Sequence, residues 1–189
     1  MKVLFIGGTG NISSAVSRLA IEKGIDLYHL NRGNTKTNIE KVKVITGDIT
    51  KPTSVKSELQ KHQWDCVVNW IAFTPEDIKR DIELFKGNTK QYIFISSASC
   101  YQSPLLHPVI TESTPLHNPL WDYSLNKIWC EDLLTQQYRE QGFPMTIVRP
   151  SLTYETVIPI AIGGFKEFTT ADRILKGKKI IIHGDGKSL

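Results

Sequence analysis

The sequence predicts an α/β protein, a doubly wound parallel sheet with helices on both faces. Three observations predict it. Short apolar, β-favouring runs alternate with segments whose apolar residues fall at helical spacing. The chain opens on one such run, breaks at a glycine cluster and passes straight into helical spacing. The residues that close successive strands are polar or small, as expected where a parallel sheet gathers its C-terminal strand ends. At 189 residues, the chain has room for one well-filled domain over residues 1–150. The remainder, 151–189, is too short for an independent second one.

The elements follow in order. Val3-Leu4-Phe5-Ile6 is the first strand, and Ile12, Ala15, Val16, Leu19 and Ala20 then mark a helix. Residues 26–31 are the second strand, with Arg32-Gly33-Asn34 as a turn. Residues 42–46 are the third, ending in Gly47-Asp48 before a helix over 52–61. Residues 65–70 form a continuous apolar run, the mark of a buried parallel strand. It exits through Ile71-Ala72-Phe73-Thr74 into a helix that starts at Pro75 and carries Ile78, Ile82, Leu84 and Phe85. Residues 91–95 are the fifth strand and lead into Ser96-Ser97-Ala98-Ser99. Residues 101–122, rich in Pro, His, Ser and Thr, read as an excursion with little regular structure, a length that points to function. Tyr123 then opens a helix that Gly142 ends, and 144–148 are the sixth strand, closed by Arg149-Pro150. Strands alternating with helices in this way imply right-handed crossovers.

Composition excludes several classes. The longest apolar runs, such as Tyr92-Ile93-Phe94-Ile95, are strand length and far short of a membrane span. Met1-Lys2 leads directly into the first strand, so no secretory segment is expected. Cys66, Cys100 and Cys130 are widely spaced and odd in number, which predicts reduced thiols, a cytoplasmic setting and no metal site. The net charge of +4 is mild, and its lysine clusters are not interleaved with aromatics, which argues against a nucleic-acid partner.

The glycine cluster carries the first chemical signal. Gly8-Thr9-Gly10-Asn11-Ile12-Ser13 fits G-x-G-x-x-G with serine in the last place, between a strand and a helix. The first glycine allows a tight turn, the second a close backbone approach, and the helix N-terminus offers N–H groups to a dinucleotide pyrophosphate. Ser13 is expected to push the helix slightly off the strand, or to leave a hydroxyl near the phosphates. The fingerprint expects an acid about 20 residues on for the ribose of NAD. Asn31 and Arg32 stand there instead, which tilts the cofactor from NAD towards NADP. Asp48 either accepts from the adenine amino group or caps the turn into its helix. The glycine loop, Asn31, Asp48, Ala72 and Ser97 all fall on the same sheet edge.

Tyr123 and Lys127 stand four residues apart on one helix, so their side chains share a face. An ammonium beside a phenol is expected to lower its pKa, fitting Tyr123 to exchange a proton with a substrate hydroxyl. Ser97 would hold the same oxygen, and the hydride would pass to or from nicotinamide. Core packing is expected to account for most of Trp70, Phe73, Trp121 and Trp129.

These motifs together resemble the extended short-chain dehydrogenase/reductase superfamily, of the NAD(P)-dependent epimerase/dehydratase type. The resemblance is carried by Gly7-Gly8-Thr9-Gly10-Asn11-Ile12-Ser13, Gly47-Asp48, Ile95-Ser96-Ser97-Ala98-Ser99-Cys100-Tyr101, Thr111-Glu112-Ser113-Thr114-Pro115-Leu116, Tyr123-Ser124-Leu125-Asn126-Lys127 and Arg149-Pro150-Ser151-Leu152-Thr153-Tyr154. It implies a Rossmann-like fold, with Ser97, Tyr123 and Lys127 as the catalytic set and Tyr123 as acid/base. Cofactor contacts would fall on Gly7, Gly8, Thr9, Gly10, Asn11, Ile12, Asn31, Arg32, Asp48, Ile49, Ala72, Tyr123, Lys127 and Pro150. It further implies interconversion of a secondary alcohol and a ketone on a small-molecule substrate such as a sugar nucleotide. A homodimer through the Tyr123 helix is common in the family, although the sequence shows no clear apolar patch for it.

Two departures stand out. Ser13 and Asn31 differ from the NAD-type pattern. In addition, residues 178–189 resemble the strand and turn that lead, in longer members, into the rest of a substrate domain, so the chain resembles a C-terminally truncated member. Residues 151–189 would be part of that domain, and 180–182 an unpaired apolar edge. His183, Asp185 and Lys187 read as a turn, not a metal site. Asn31-Arg32-Gly33 is also similar to a subgroup of epimerase-like proteins that includes plastid RNA-binding relatives. Two further readings therefore stand beside the enzyme: a nucleotide-binding module without turnover, acting as a sensor or RNA-associated protein, and an inactive truncated relic. The intact Ser97/Tyr123/Lys127 set favours the enzyme.

Overall fold

Six parallel strands form a single sheet in the order β3-β2-β1-β4-β5-β6 in the computed structural model, which describes residues 1–34, 39–154 and 167–182. The strands are β1 (Lys2–Ile6), β2 (Asp26–Asn31), β3 (Lys43–Thr46), β4 (Cys66–Asn69), β5 (Tyr92–Ile95) and β6 (Met145–Val148). The helices are α1 (Asn11–Glu22), α2 (Pro52–Leu59), α3 (Pro75–Phe85), α4 (Asp122–Gln141) and α5 (Thr169–Leu175). Strand order reverses beside β1, whose neighbours are β2 and β4. That reversal opens the crevice where such sheets take their ligands.

Period-two alternation in β1 sends Leu4 and Ile6 to one face and Val3 and Phe5 to the other. The first face packs on Val55 and Leu59 of α2, Ile78, Leu84 and Phe85 of α3, and Cys130 and Leu134 of α4. The second packs on Ala20 of α1, with Leu27, Cys66 and Val68. Helices thus cover both faces, as the alternation of elements predicts. Thr74 caps α3 by a reciprocal pair of bonds with Asp77, and Pro75 occupies its first turn.

Contacts divide the chain into Met1–Ser151 and Leu152–Leu189. Within the second unit α5 carries a Lys176–Asp172 ion pair of 2.8 Å. Residues 180–182, expected as an edge strand, have no strand conformation. Ile181 and Ile182 are exposed. Three consecutive β-branched residues set a strand propensity, but a strand needs a partner ladder to satisfy its backbone. His183, Asp185 and Lys187 lie outside the described residues.

The excursion after β5 is irregular as expected. A 3-10 turn (Ala98–Cys100) precedes it, an isolated bridge pairs Tyr101 with Leu116, and α4 begins at its last residue, Asp122. Among the described residues no helix is long and apolar enough to cross a membrane, and no cluster of His, Cys, Asp or Glu is fit to hold a metal ion.

Candidate active site and dinucleotide cradle

The loop between β1 and α1 is built by close approach. Gly7, not Gly8, takes the left-handed backbone, with φ of +83°. Gly8 serves differently: a Cβ there would fall 2.5 Å from Cε1 and Nδ1 of His29, so the loop backbone rests on the imidazole. Ser17 Oγ donates to Ser13 O at 2.7 Å, and so receives the Nε2–H of His29 at 2.9 Å. His29 is therefore the Nε2–H tautomer, and burial pushes its pKa down to about 4.

Ser13 has a local role within the loop. It is buried, with Oγ accepting from Gly10 N at 2.8 Å and donating to Gly7 O at 3.1 Å. The hydroxyl closes the loop on itself, standing in for the close packing a third glycine permits. The loop suits a pyrophosphate: Gly10, the N-cap of α1, is exposed, and the first turn holds no acidic side chain to repel phosphates. Asn11 Oδ1 is buried there without a hydrogen-bond partner, and Thr9 and Ile12 are half-buried beside it.

Asn31 ends β2, its carbonyl accepting from Gly47 N at 2.9 Å. Arg32 beyond it is exposed. Of the two roles weighed for Asp48, the turn is the one with hydrogen bonds behind it: Oδ1 accepts from Thr50 N at 3.0 Å and Thr50 Oγ1 at 2.7 Å. Those bonds, with Arg32 nearby, hold its carboxyl below the usual range. Ile49 is 4% exposed and packs in the core.

Beyond β4, Asn69 Oδ1 accepts from Ile71 N at 2.8 Å and so shapes the turn that carries Ala72 and Phe73. Asn69 is itself held by buried Asp81, which also accepts from Tyr92 Oη at 2.6 Å and from Arg80. Lys127, only 2% exposed, reaches under this turn and donates to Ala72 O at 2.6 Å and Ile95 O at 2.7 Å. One ammonium thus ties the exits of β4 and β5 together, using two of its three donors. Burial pushes its pKa down to about 8.

Tyr123 lies one turn before Lys127, its ring centroid 5.6 Å from the ammonium nitrogen. The expected depression of the phenol pKa is not what this geometry produces. Burial raises it, and the nearby Ser97 side chain is the influence that opposes the rise. Lys127 spends its protons on carbonyl oxygens and sits over the faces of Phe73 and Phe94, at 4.7 Å from each centroid. Helical spacing put Tyr123 and Lys127 on one face but said nothing of where the ammonium would find its acceptors.

Ser97 caps the 3-10 turn, accepting from Ser99 N at 3.2 Å. Pro150 meets the same turn, its carbonyl accepting from Ala98 N at 2.9 Å. Behind them Glu131 of α4 takes a forked pair from Arg149 and a bond from Ser96 Oγ, while Arg149 Nη1 donates to Tyr101 Oη at 3.1 Å. No spacing in the sequence signals that brace, because its partners come from three separate segments, residues 96–101, α4 and the end of β6. Core packing accounts for less of the aromatic set than expected. Phe73, Trp121 and Trp129 are about half exposed, and Trp121 and Phe73 flank Tyr123 at 4.7 and 6.4 Å between centroids.

Ser97, Tyr123 and Lys127 therefore meet at the sheet edge that also holds the glycine loop, Asn31, Asp48 and Ala72, in the arrangement of a Rossmann-type dinucleotide-binding domain of the short-chain dehydrogenase/reductase kind. The model of the NAD dependent epimerase/dehydratase family matches residues 3–189, and the chain belongs to that family. A UDP-glucose 4-epimerase of Lactobacillus helveticus is 31% identical over 169 residues, covering 79% of this chain and 51% of that protein. The chain thus spans about half the length of this relative. Among solved structures, a UDP-glucose 4-epimerase of Thermotoga maritima with UDP-glucose matches with a TM-score of 0.76 at 21% identity, over 99% of this chain and 67% of that one. A dTDP-glucose 4,6-dehydratase of Bacillus anthracis in complex with NAD matches with a TM-score of 0.75 at 20% identity, over 98% and 65%. These two likenesses establish the fold.

Proposed function

We propose that this chain binds NAD(P) and supplies the acid/base machinery for interconverting a secondary alcohol and a ketone on a sugar nucleotide, in the manner of a UDP-hexose 4-epimerase. What supports the proposal is the grouping of Ser97 near Tyr123, whose ring centroid lies 5.6 Å from the Lys127 ammonium, beside strand ends on the sheet edge that also carries the glycine loop. The relatives named as UDP-glucose 4-epimerases support the substrate class. So does the half-exposed Trp121 and Phe73 pair, which offers an apolar wall to a pyranose face.

The glycine loop and the N-terminus of α1 would hold the pyrophosphate, and Lys127 the nicotinamide ribose with its remaining donor. When bound, nicotinamide supplies the acceptor and donor of hydride. Tyr123 accepts the proton of the substrate hydroxyl and returns it. To accept, it must be a phenolate, and the nearby Ser97 side chain is the group that favours that form. Ser97 then steadies the same substrate oxygen.

A preference for NADP is proposed on Asn31 and Arg32. Asp48, close enough to Arg32 to act on it electrostatically, opposes that preference. The proposed setting is the cytoplasm, and the proposed assembly a homodimer.

The test is titration of the 189-residue chain with NADH and NADPH, followed by nicotinamide fluorescence, and then assay of UDP-glucose to UDP-galactose conversion. Binding, with turnover that is lost in Tyr123→Phe while binding persists, is the expected result. Binding of neither nucleotide overturns the proposal. Binding without turnover of any UDP-hexose favours the module that binds nucleotide and does not react.

A further inference from the structure

The turn that leaves β4 is held by a single hydrogen-bonded network. The backbone N–H of Ile71 can only donate, so the amide oxygen of Asn69 faces it, at 2.8 Å, and Asn69 Nδ2 is left to donate to Asp81 Oδ2. Asp81 is fully buried. Its Oδ2 also accepts from Tyr92 Oη at 2.6 Å, and its Oδ1 accepts from Nε and Nη2 of Arg80 at 3.0 and 2.9 Å. The remaining guanidinium nitrogen, Nη1, donates to Asp77 Oδ1 at 2.7 Å. Asp77 Oδ2 in turn accepts from Phe73 N at 2.9 Å and from Thr74 N at 3.1 Å. Arg80 therefore joins two anchors, one for the start of the turn at Ile71 and one for its end at Phe73 and Thr74.

Between the anchors lies the environment of Lys127. The Ala72 carbonyl accepts from its ammonium at 2.6 Å, and the ring of Phe73 lies 4.7 Å from the same nitrogen. Capping α3 requires only the reciprocal bonds of Thr74 and Asp77. The extension through Arg80 to a buried carboxylate exceeds that need, and a buried charge costs stability unless its acceptors are filled. Four donors fill them here, and one of the four belongs to the residue that starts the turn.

We propose that Asn69 and Arg80 are positioning residues, which fix this turn so that Ala72 and Phe73 hold the Lys127 ammonium with its third donor left for the nicotinamide ribose. The part that concerns the ribose rests on the dinucleotide reading given above. The placement of Lys127 does not.

The experiment has two readouts on the full chain. The first is a 1H–13C spectrum with lysine labelled at the ε carbon, in which Lys127 is the signal missing from Lys127→Met. Phe73 and Phe94, each 4.7 Å from the ammonium, should displace that signal upfield through their ring currents. Phe73→Leu measures the part that the turn supplies. Asn69→Ser keeps an oxygen for the Ile71 N–H but has no donor long enough for Asp81, and it should move the signal towards its Phe73→Leu position. Arg80→Gln should move it the same way. Val55→Ala loses stability in the core under α2 and should leave the signal in place. An unmoved signal in Asn69→Ser overturns the proposal, as does an equal movement in Val55→Ala. A folded Arg80→Gln chain with the signal in place removes Arg80 from it.

The second readout is binding of NADH and of ADP, which lacks the nicotinamide ribose. Asn69→Ser should weaken NADH about tenfold, as one misplaced charge-assisted hydrogen bond requires, and leave ADP within about twofold. Equal losses for NADH and ADP overturn the role at the ribose. Binding of neither by the native chain would sink the functional reading, and the lysine signal would still decide the anchoring.

Discussion

Gly8 rests on the face of the His29 imidazole, so closely that a single added carbon would lie 2.5 Å from the ring. The contact couples the glycine loop to β2 and, through Ser17, to α1. Its height above the sheet is set by a buried ring, which has nowhere to move.

Gly8→Ala should therefore both destabilise the fold, by about 1–3 kcal/mol for the overpacking, and weaken dinucleotide binding. His29→Ala in the same chain opens the space that the new methyl needs. Urea unfolding should show the double variant recovering stability relative to the sum of the two single changes. Strict additivity would mean that the loop is not seated on His29.

Glu131 and Arg149 form a largely buried ion pair that also secures Ser96 and Tyr101. Removing one partner strands the other charge. Glu131→Ala should cost about 3–5 kcal/mol in chemical denaturation. Glu131→Leu combined with Arg149→Met should cost less than Glu131→Ala alone, since no charge is left unpaired.

Lys127 makes stability depend on pH. Its folded pKa of about 8 lies below the unfolded value, so between these the unfolded chain binds more protons and stability rises with pH. The penalty is fully present below pH 8 and fades as pH climbs towards the unfolded pKa near 10.4. Comparing urea unfolding at pH 7 and pH 9.5, the native chain should gain about 1–3 kcal/mol relative to Lys127→Met. Parallel pH profiles would show that the two carbonyl bonds keep the ammonium fully charged.

Arg32→Ala should weaken NADPH binding about tenfold while leaving NADH within about twofold, as the loss of one charge-assisted phosphate contact requires. Asp48→Asn should favour NADPH by removing the opposing carboxylate. An equal effect of Arg32→Ala on both cofactors would remove the phosphate role.

The order of elements was legible because each reports itself locally. A four-residue apolar run, a glycine cluster or a proline at a helix start depends only on neighbours in the chain. Residues 26–31 coincide with β2, and Pro75 opens α3 as read. The strand ends fall on one edge because a right-handed parallel topology leaves no other place for them. By itself, then, the sequence determined the elements, their order along the chain and the segments whose strand ends share one edge; the strand order in the sheet came from the structure. Tertiary structure alone decided what the side chains do there. Whether Lys127 acts on Tyr123 or on the carbonyls of Ala72 and Ile95 depends on acceptors from distant segments, while whether Ser13 strains the loop or closes it, and which glycine bears the left-handed turn, depend on the path the loop takes once it is packed. Hydrogen bonds and burial are properties of positions in space. Linear spacing specifies those positions within one helix or strand and loses them at every crossover.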